Sequence, residues 1–216
     1  MDAPIYTISE AAHYLKIAPA TLRSWVAGRN YPTQDGLQLF KPLITLNNNQ
    51  GRLSFNNLIE AYILRSLRQD HSVAIKNMRL AIEYARKQFR ISNLFLNKNL
   101  LTARGDLFLQ VFNEVINLSK SGQIALKKAF EDHLQRIEWT RDVPSRLFPF
   151  INHDPDKIIA IDPKIKFGSP IISSKSISTS IIVDRIDAGE SVLTVADDYG
   201  LDVNEIELAV RYENAA

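Results

Sequence analysis

The sequence of 216 residues predicts a mainly helical protein in three segments. Apolar residues recur at helical spacing near both ends of the chain. Clusters of Pro, Gly and Asn interrupt that spacing at 30–53 and again at 144–156. The net charge also changes along the chain, from +6 over residues 1–90 to +2 over 91–150 and −6 over 151–216. Such asymmetry indicates two partners of opposite charge.

The composition is that of an ordinary soluble globular protein, with 45% hydrophobic and 23% charged residues. No run approaches the roughly 20 apolar residues that span a bilayer. The N-terminus lacks a basic stretch followed by an apolar core, which argues against a secretory signal. The absence of Cys removes disulfides and thiolate sites. These features predict a cytoplasmic protein without a membrane partner.

The first segment, residues 1–90, opens with two short helices. Thr7 and Glu10 form the pattern of a capping box at the first helix. Pro19 is placed to begin a second helix and Gly28 to end it. The predicted apolar faces are Ile8, Ala12 and Leu15 on the first helix, and Leu22, Trp25 and Val26 on the second. Two short helices joined by a tight turn indicate a helix-turn-helix.

Turn signals between residues 30 and 53 surround short extended runs, which predict a β-hairpin, or wing. Two longer helices follow, with Ser54 and Ser72 as their predicted N-caps. The second of them runs to Phe89 and carries basic residues on its polar side, namely Arg79, Arg86, Lys87 and Arg90. Residues 1–90 are therefore predicted to form a winged helix-turn-helix DNA-binding domain.

The middle segment, residues 91–156, is predicted to be a mixed α/β bridge that ends in a linker. Residues 107–111 and 115–118 have the pattern of short strands, and residues 122–139 have that of a helix. Pro144, Pro149 and the stretch 153–156 indicate the linker.

The last segment, residues 157–216, is predicted to be a three-helix domain of helix-turn-helix type. Two short β runs, at 158–161 and 171–172, precede the helices. The first helix begins at Ser178 or Thr179 and ends at Gly189. Ser191 caps the second, which ends at Gly200. Asp202 and Glu205 form the pattern of a capping box for the third.

The second helix of a helix-turn-helix lies in the major groove of DNA. In the first segment that helix offers Arg23, which could bind a guanine through two hydrogen bonds, and Thr21 and Ser24, which could contact a base or a phosphate. Other basic residues could neutralise phosphates. The predicted DNA-binding residues are Lys16, Thr21, Arg23, Ser24, Arg29, Lys41 and Arg52.

The corresponding helix of the last segment offers acidic side chains, which phosphates repel. This segment is therefore predicted to contact a protein with a basic surface, such as a protein that binds or cuts RNA. The predicted protein-contact residues are Asp197, Asp198, Asn204, Glu205, Glu207 and Arg211.

The sequence does not favour an enzyme. The four histidines lie too far apart for a helical metal pair, and there is no phosphate-binding or nucleophile-elbow motif. No catalytic residue, metal or cofactor is predicted. A nucleic-acid-processing enzyme that uses Asp154, Asp156, Asp197 and Asp198 is a weaker alternative.

The stretch YTISEAAHYLKIAPATLRSWVAG at the N-terminus resembles MerR-like and excisionase-like winged helix-turn-helix proteins. The last 60 residues resemble a small helical domain typical of VapB-like antitoxins, through GSPII at 168–172, GESV at 189–192 and YGL at 199–201. The usual G-T-R stretch reads Ser174-Lys175-Ser176 here.

The combined resemblance implies an antitoxin that binds operator DNA of its own operon, commonly as a homodimer. It also implies neutralisation, through the last segment, of a PIN-like ribonuclease toxin encoded next door. The alternative is a stand-alone MerR-like or excisionase-like transcription regulator whose C-terminal domain dimerises or senses a signal.

Overall fold

A computed structural model describes residues 3–33, 36–46, 48, 50–69, 74–89, 96, 131–141, 143–150 and 153–215 of the chain. This part is mainly helical and contains two small sheets, which agrees with the fold class that the sequence predicts. Within these ranges, no helix has both the length and the apolar character needed to cross a membrane.

The described helices, in chain order, are α1 (Ile8–Tyr14), α2 (Pro19–Ala27), α3 (Phe55–Gln69), α4 (Ile75–Phe89), α5 (Thr179–Asp187), α6 (Val192–Tyr199) and α7 (Val203–Asn214). The described strands are β1 (Arg29–Thr33), β2 (Gly36–Phe40), β3 (Ile137–Thr140), β4 (Val143–Leu147), β5 (Ile159–Ile161), β6 (Pro170–Ile172) and β7 (Ile177–Ser178). A short 3₁₀ turn at Lys166–Gly168 precedes β6.

Helices α1 and α2 begin where the sequence predicts. The Glu10 amide donates to the Thr7 hydroxyl oxygen at 3.1 Å, and the Thr7 amide donates to the Glu10 carboxylate at 2.7 Å, which confirms the capping box. Pro19 is the first residue of α2, where its missing N–H costs nothing. Residues 15–18 form the connecting turn, in which Lys16 adopts a left-handed backbone with φ of 53°.

Strands β1 and β2 form an antiparallel hairpin within the predicted wing, paired from Arg29↔Phe40 to Thr33↔Gly36. Ser54 caps α3 as predicted, because its hydroxyl accepts a hydrogen bond from the Asn57 amide at 3.2 Å. The predicted cap of α4, Ser72, lies outside the described residues.

The second sheet is an antiparallel meander in the order β3-β4-β5-β6-β7. Its first two strands correct two predictions for the middle segment. The helix predicted over 122–139 is wrong at its end, because Ile137 begins β3, with Ile137 buried and Glu138 exposed as in a strand. Pro144 lies within β4 and not in a linker, opposite the irregular register at Trp139, where a missing ladder N–H is tolerated. The strands predicted at 107–111 and 115–118 lie outside the described residues.

Helices α5, α6 and α7 follow the predicted starts and stops. Ser191 accepts a hydrogen bond from the Thr194 amide at 3.1 Å. Gly200 ends α6 in the left-handed conformation. The Asp202 amide donates to Glu205 at 2.9 Å within a complete capping box.

The hydrophobic core is continuous between the N-terminal helices and the meander sheet. Leu134, Ile137, Leu147 and Ile161 are buried in the same cluster as the cores of α1, α2 and α3. A second cluster buries Ile159 and other sheet residues against α5, α6 and α7. The predicted boundary between residues 156 and 157 therefore falls between β4 and β5, which pair through Leu147↔Ile161.

Candidate nucleic-acid interface

Helix α2 presents a polar face opposite its buried face. Leu22 and Trp25 are almost fully buried in the core, whereas Arg23 is exposed and Thr21 and Ser24 are half-buried. The Ser24 hydroxyl donates to the Thr21 carbonyl at 2.7 Å, so it is oriented by its own helix. This face can offer a guanidinium and two hydroxyl oxygens to a ligand.

The hairpin is fixed to the end of α2 by backbone contacts. The amides of Leu43 and Ile44 donate to the Trp25 carbonyl at 2.8 and 3.1 Å. Gly28, with φ of 78°, joins α2 to β1, and a Cβ atom placed there would lie 2.3 Å from the carbonyl oxygen of Phe40. Only glycine fits this close approach without a backbone shift.

A groove of about 850 Å³ lies between α2, the hairpin, the end of α3 and the start of α4. Among the residues that the structure describes, four arginines and no Asp or Glu line it. We call it the arginine groove. Its lining consists of Ala20, Thr21, Arg23, Ser24, Trp25, Gly28, Arg29, Phe40, Arg68, Ile75 and Arg79. A concave surface with several cationic side chains favours an anionic ligand.

The arginine groove brings together four of the seven residues predicted to contact DNA, namely Thr21, Arg23, Ser24 and Arg29. Sequence reasoning did not select the other two arginines, Arg68 and Arg79. Arg68 is in the last turn of α3, and the basic character of that turn was the available signal.

Lys41 and Arg52 lie outside the lining of the groove. Lys41 is exposed directly after β2, and its carbonyl accepts a hydrogen bond from Arg79. Arg52 is exposed next to the bridge between Leu53 and Tyr6. Hydrogen bonds from Thr7 lower the pKa of Glu10, and the nearby charge of Arg52 adds to that effect, which places Arg52 near the start of α1.

Lys16 faces the C-terminal helix. Its ammonium nitrogen lies 4.2 Å from the centroid of the Tyr212 ring and 3.4 Å from the carbonyl oxygen of Glu213. Partial burial lowers the pKa of Lys16 to about 8, against the attraction of Glu213. The structure therefore places this residue between α1 and α7.

Further contacts between α1 and α7 surround Lys16. The Tyr212 hydroxyl donates to the Tyr14 carbonyl at 2.6 Å. His13 Nε2 lies 2.6 Å from a carboxylate oxygen of Glu213, and the Glu213 carboxylate also accepts a hydrogen bond from Thr179. The two ends of the chain thus form a direct polar contact.

The residues predicted to contact a protein partner have two kinds of environment. Asp198 is 2.6 Å from Arg185, and Glu205 accepts hydrogen bonds from Ser174 at 2.6 Å and from the Asp202 amide. Both carboxylates are therefore paired with other residues of the last segment, 157–216. The remaining four lie on α6 and α7, namely Asp197, Asn204, Glu207 and Arg211, and all four are exposed.

Asp154 has a structural role, which weakens its interpretation as a catalytic carboxylate. It is fully buried and accepts hydrogen bonds from the amides of Ile158 and Ile159 at 2.8 and 2.9 Å. The Arg136 guanidinium lies 3.6 Å from the carboxylate oxygen that accepts from Ile159. In the ranges that the structure describes, no group of three His, Cys, Asp or Glu side chains could hold a metal ion.

Two family models match separate parts of the chain. Residues 4–82 match the family described as "Putative DNA-binding HTH domain". Residues 159–212 match the family described as "Protein of unknown function (DUF433)". The first match contains the whole lining of the arginine groove, and the second contains α5, α6 and most of α7.

Comparison with individual proteins extends the similarity over almost the whole chain. The chain is 24% identical to "Putative antitoxin VapB45" of Mycobacterium tuberculosis, across 97% of this chain and 93% of that protein. The crystal structure of Rv2018 from Mycobacterium tuberculosis has the same fold, with a TM-score of 0.70 at 22% identity, covering 97% of this chain and 99% of that one. These comparisons confirm that the chain resembles VapB-like antitoxins, as the motifs at its two ends predict.

Proposed function

We propose that the protein is the antitoxin of a type II toxin-antitoxin pair. It binds operator DNA of its own operon, and it neutralises a PIN-like ribonuclease toxin in the cytoplasm by direct contact. The observation that supports DNA binding best is the arginine groove, whose described lining carries four arginines beside α2. The similarity to a protein named as an antitoxin supports the second activity.

In this proposal residues 1–90 act as a winged helix-turn-helix. Helix α2 enters the major groove, where Arg23 binds a guanine and Thr21 and Ser24 contact a base or a phosphate. Arg29 and Lys41, at the base of the hairpin, hold the DNA backbone. Lys16 is left out of this interface because it packs against Tyr212.

The exposed acidic side chains of α6 and α7, which include Asp197 and Glu207, form the proposed toxin contact. Their charge complements a basic, RNA-binding partner. Asp198 and Glu205 maintain the geometry of this surface through Arg185 and the α7 capping box. A homodimer would place two α2 helices on the two halves of a symmetric operator.

DNA binding is tested by fluorescence anisotropy with a duplex from the region upstream of the gene and an unrelated duplex of equal length. We expect tighter binding to the upstream duplex at the same salt concentration. Equal or absent binding to both duplexes would refute operator recognition.

Neutralisation is tested by co-expression with the neighbouring reading frame. We expect the wild-type chain to relieve toxicity, and we expect Asp197→Lys combined with Glu207→Lys to abolish that relief while DNA binding persists. Asp187→Lys, an equivalent change at an exposed site on α5, is the control. Charge reversal is preferable to deletion of residues 157–216, because β5 pairs with β4 and α7 contacts α1.

The antitoxin proposal would be contradicted if the neighbouring reading frame encodes no toxic product, or if the wild-type chain does not relieve its toxicity. Operator binding without a protein partner in a pull-down would then favour the alternative, a stand-alone regulator. The direct contact between Tyr212 and Tyr14 fits that alternative as well, since it could carry a signal from the C-terminal domain to α1.

A further inference from the structure

Two arginines of the arginine groove do not belong to the helix-turn-helix or the hairpin. Arg68 lies at the end of α3, and Arg79 lies near the start of α4. They therefore form a wall of the groove that is separate from Arg23 and Arg29. Arg68 is exposed, and Arg79 is half-buried.

The side chain of Arg79 is held in a defined position. Its guanidinium carbon lies 5.0 Å from the centroid of the Phe40 ring, and it donates a hydrogen bond to the carbonyl oxygen of Lys41. These contacts join α4 to the end of β2. A guanidinium that is fixed in advance loses little conformational entropy when it binds an anion.

The guanidinium group of Arg79 is only partly paired with acceptors and opposite charges. Its buried Nε atom has no hydrogen-bond partner among the residues that the structure describes. Burial lowers the pKa of Arg79, and the charge of Glu83, one turn further along α4, acts in the opposite direction. A partly buried cation is incompletely solvated, so an anion bound beside it in the groove would offset part of that cost through charge attraction.

We infer that Arg68 and Arg79 form a binding site for a phosphate group of the DNA backbone, separate from the base-contacting face of α2. This inference rests on the proposed DNA-binding function. Guanidinium groups bind phosphate oxygens through paired N–H donors. Phe40 and Ile75, which lie beside them in the groove, provide an apolar surface for the adjoining deoxyribose.

A backbone phosphate carries no sequence information, so this site fixes the position and register of the protein on any duplex. Arg23 would supply sequence preference, and the wall formed by Arg68 and Arg79 would supply affinity. A binding experiment can therefore distinguish the two roles. Loss of Arg23 would change the ratio of affinities for two duplexes, and loss of Arg68 and Arg79 would change both affinities equally.

The test measures anisotropy for the upstream and unrelated duplexes between about 50 and 200 mM salt. The variants are Arg68→Gln, Arg79→Gln and the double variant. Arg141→Gln, at an exposed arginine in the turn between β3 and β4, is the matched control. Thermal unfolding of each variant checks the fold, and Arg79→Lys restores the charge if Gln disturbs the packing on Phe40.

We expect the double variant to weaken binding to both duplexes by the same factor. The slope of log K against log salt should become shallower by about 0.9 for each phosphate that the variant no longer neutralises. Arg141→Gln should change neither quantity, and Arg79→Lys should recover most of the slope. The ratio of the two affinities should stay at its wild-type value.

Wild-type affinity and slope in a folded double variant would overturn this inference and leave the proposed function intact. A weakening confined to the upstream duplex would also overturn it, because that result assigns the arginines to base recognition. A wild-type chain that binds neither duplex would overturn the inference and the proposed DNA binding together.

Discussion

The hydroxyl group of Tyr212 in α7 donates a 2.6 Å hydrogen bond to the carbonyl oxygen of Tyr14 in α1. The two residues lie 198 positions apart in the sequence. The ring of Tyr212 is fully buried, and it also contacts the ammonium group of Lys16. One side chain of α7 thus contacts both the end of α1 and the turn that follows it.

Tyr212→Phe should destabilise the protein by about 1 kcal/mol, the usual net value of one hydrogen bond. The ring remains in the core, so the change isolates the hydrogen bond to the Tyr14 carbonyl. The measurement is the free energy of unfolding from urea denaturation. Unchanged stability would mean that water replaces the hydroxyl without cost.

Lys16 should make stability depend on pH. Burial lowers the pKa of Lys16 to about 8 in the folded chain, below its ordinary value of 10.5. Between these values the unfolded chain binds more protons, so stability rises with pH through this window. The cost of burying the charge is fully present below pH 8.

Lys16→Met removes this titration. Its gain in unfolding free energy over the wild type should be larger at pH 7 than at about pH 9.5. Urea denaturation at both pH values measures the difference, and Lys175→Met, at an exposed lysine, is the control. Tyrosines begin to ionise in the unfolded chain at about pH 9.5, and they do so in the variant and the wild type alike, so the quantity compared is the difference between the two proteins. A difference that does not vary with pH would contradict the prediction.

Gly28→Ala should destabilise the protein and weaken DNA binding, because its Cβ would lie 2.3 Å from the Phe40 carbonyl and would displace the hairpin. Gly51→Ala is a matched control, since Gly51 also has positive φ but has no atom of the described residues within 4 Å of the added Cβ. We expect a decrease of roughly 1 kcal/mol at Gly51 from the left-handed backbone alone. Unfolding and anisotropy experiments should show a larger effect at Gly28, and equal effects at the two sites would refute the steric argument.

Arg23→Ala should reduce the preference for the upstream duplex as well as the affinity, by about 1–3 kcal/mol at the recognised base pair. The readout is the ratio of the affinities for the upstream and unrelated duplexes. A fall in salt slope with an unchanged ratio would instead assign Arg23 to a phosphate.

Phe167→Gly should stabilise the protein by about 1 kcal/mol, because Phe167 adopts a φ of 55° that glycine accepts without strain. Its ring is 91% exposed, so the substitution removes little packing. Phe167→Ala keeps the strained backbone and serves as the control. The prediction fails if the Gly variant is no more stable than the Ala variant in urea denaturation.

Local signals in the sequence predict much of the fold. The capping boxes at Thr7 and Asp202, the proline at the start of α2 and the glycine at the end of α6 act within a few residues, so their partners can be identified from spacing. The same holds for Arg23, because its position follows from the periodicity of Leu22 and Trp25. These features need no knowledge of the remaining chain.

The features that the sequence does not reveal arise where distant residues determine the structure. Residues 137–139 fit a helical pattern by composition, but pairing with β4 makes them a strand. Lys16 has the sequence position of a phosphate-binding residue, and only the return of α7 to α1 shows its other environment. Arg68 and Arg79 escape sequence-based selection because they reach the groove from two different helices.

Gly168 allows a close approach to Tyr6, two residues before α1, since a Cβ atom at Gly168 would lie 2.1 Å from the Tyr6 hydroxyl. Together with the contact of α7 on α1, this approach joins the C-terminal helices directly to the N-terminal helices. A partner protein bound to the exposed acidic side chains of α6 and α7 would therefore have one fixed orientation relative to α2. Steric geometry would then decide whether the partner overlaps with a DNA duplex bound at α2. The intrinsic affinities of the DNA-contacting and partner-contacting surfaces would stay the same.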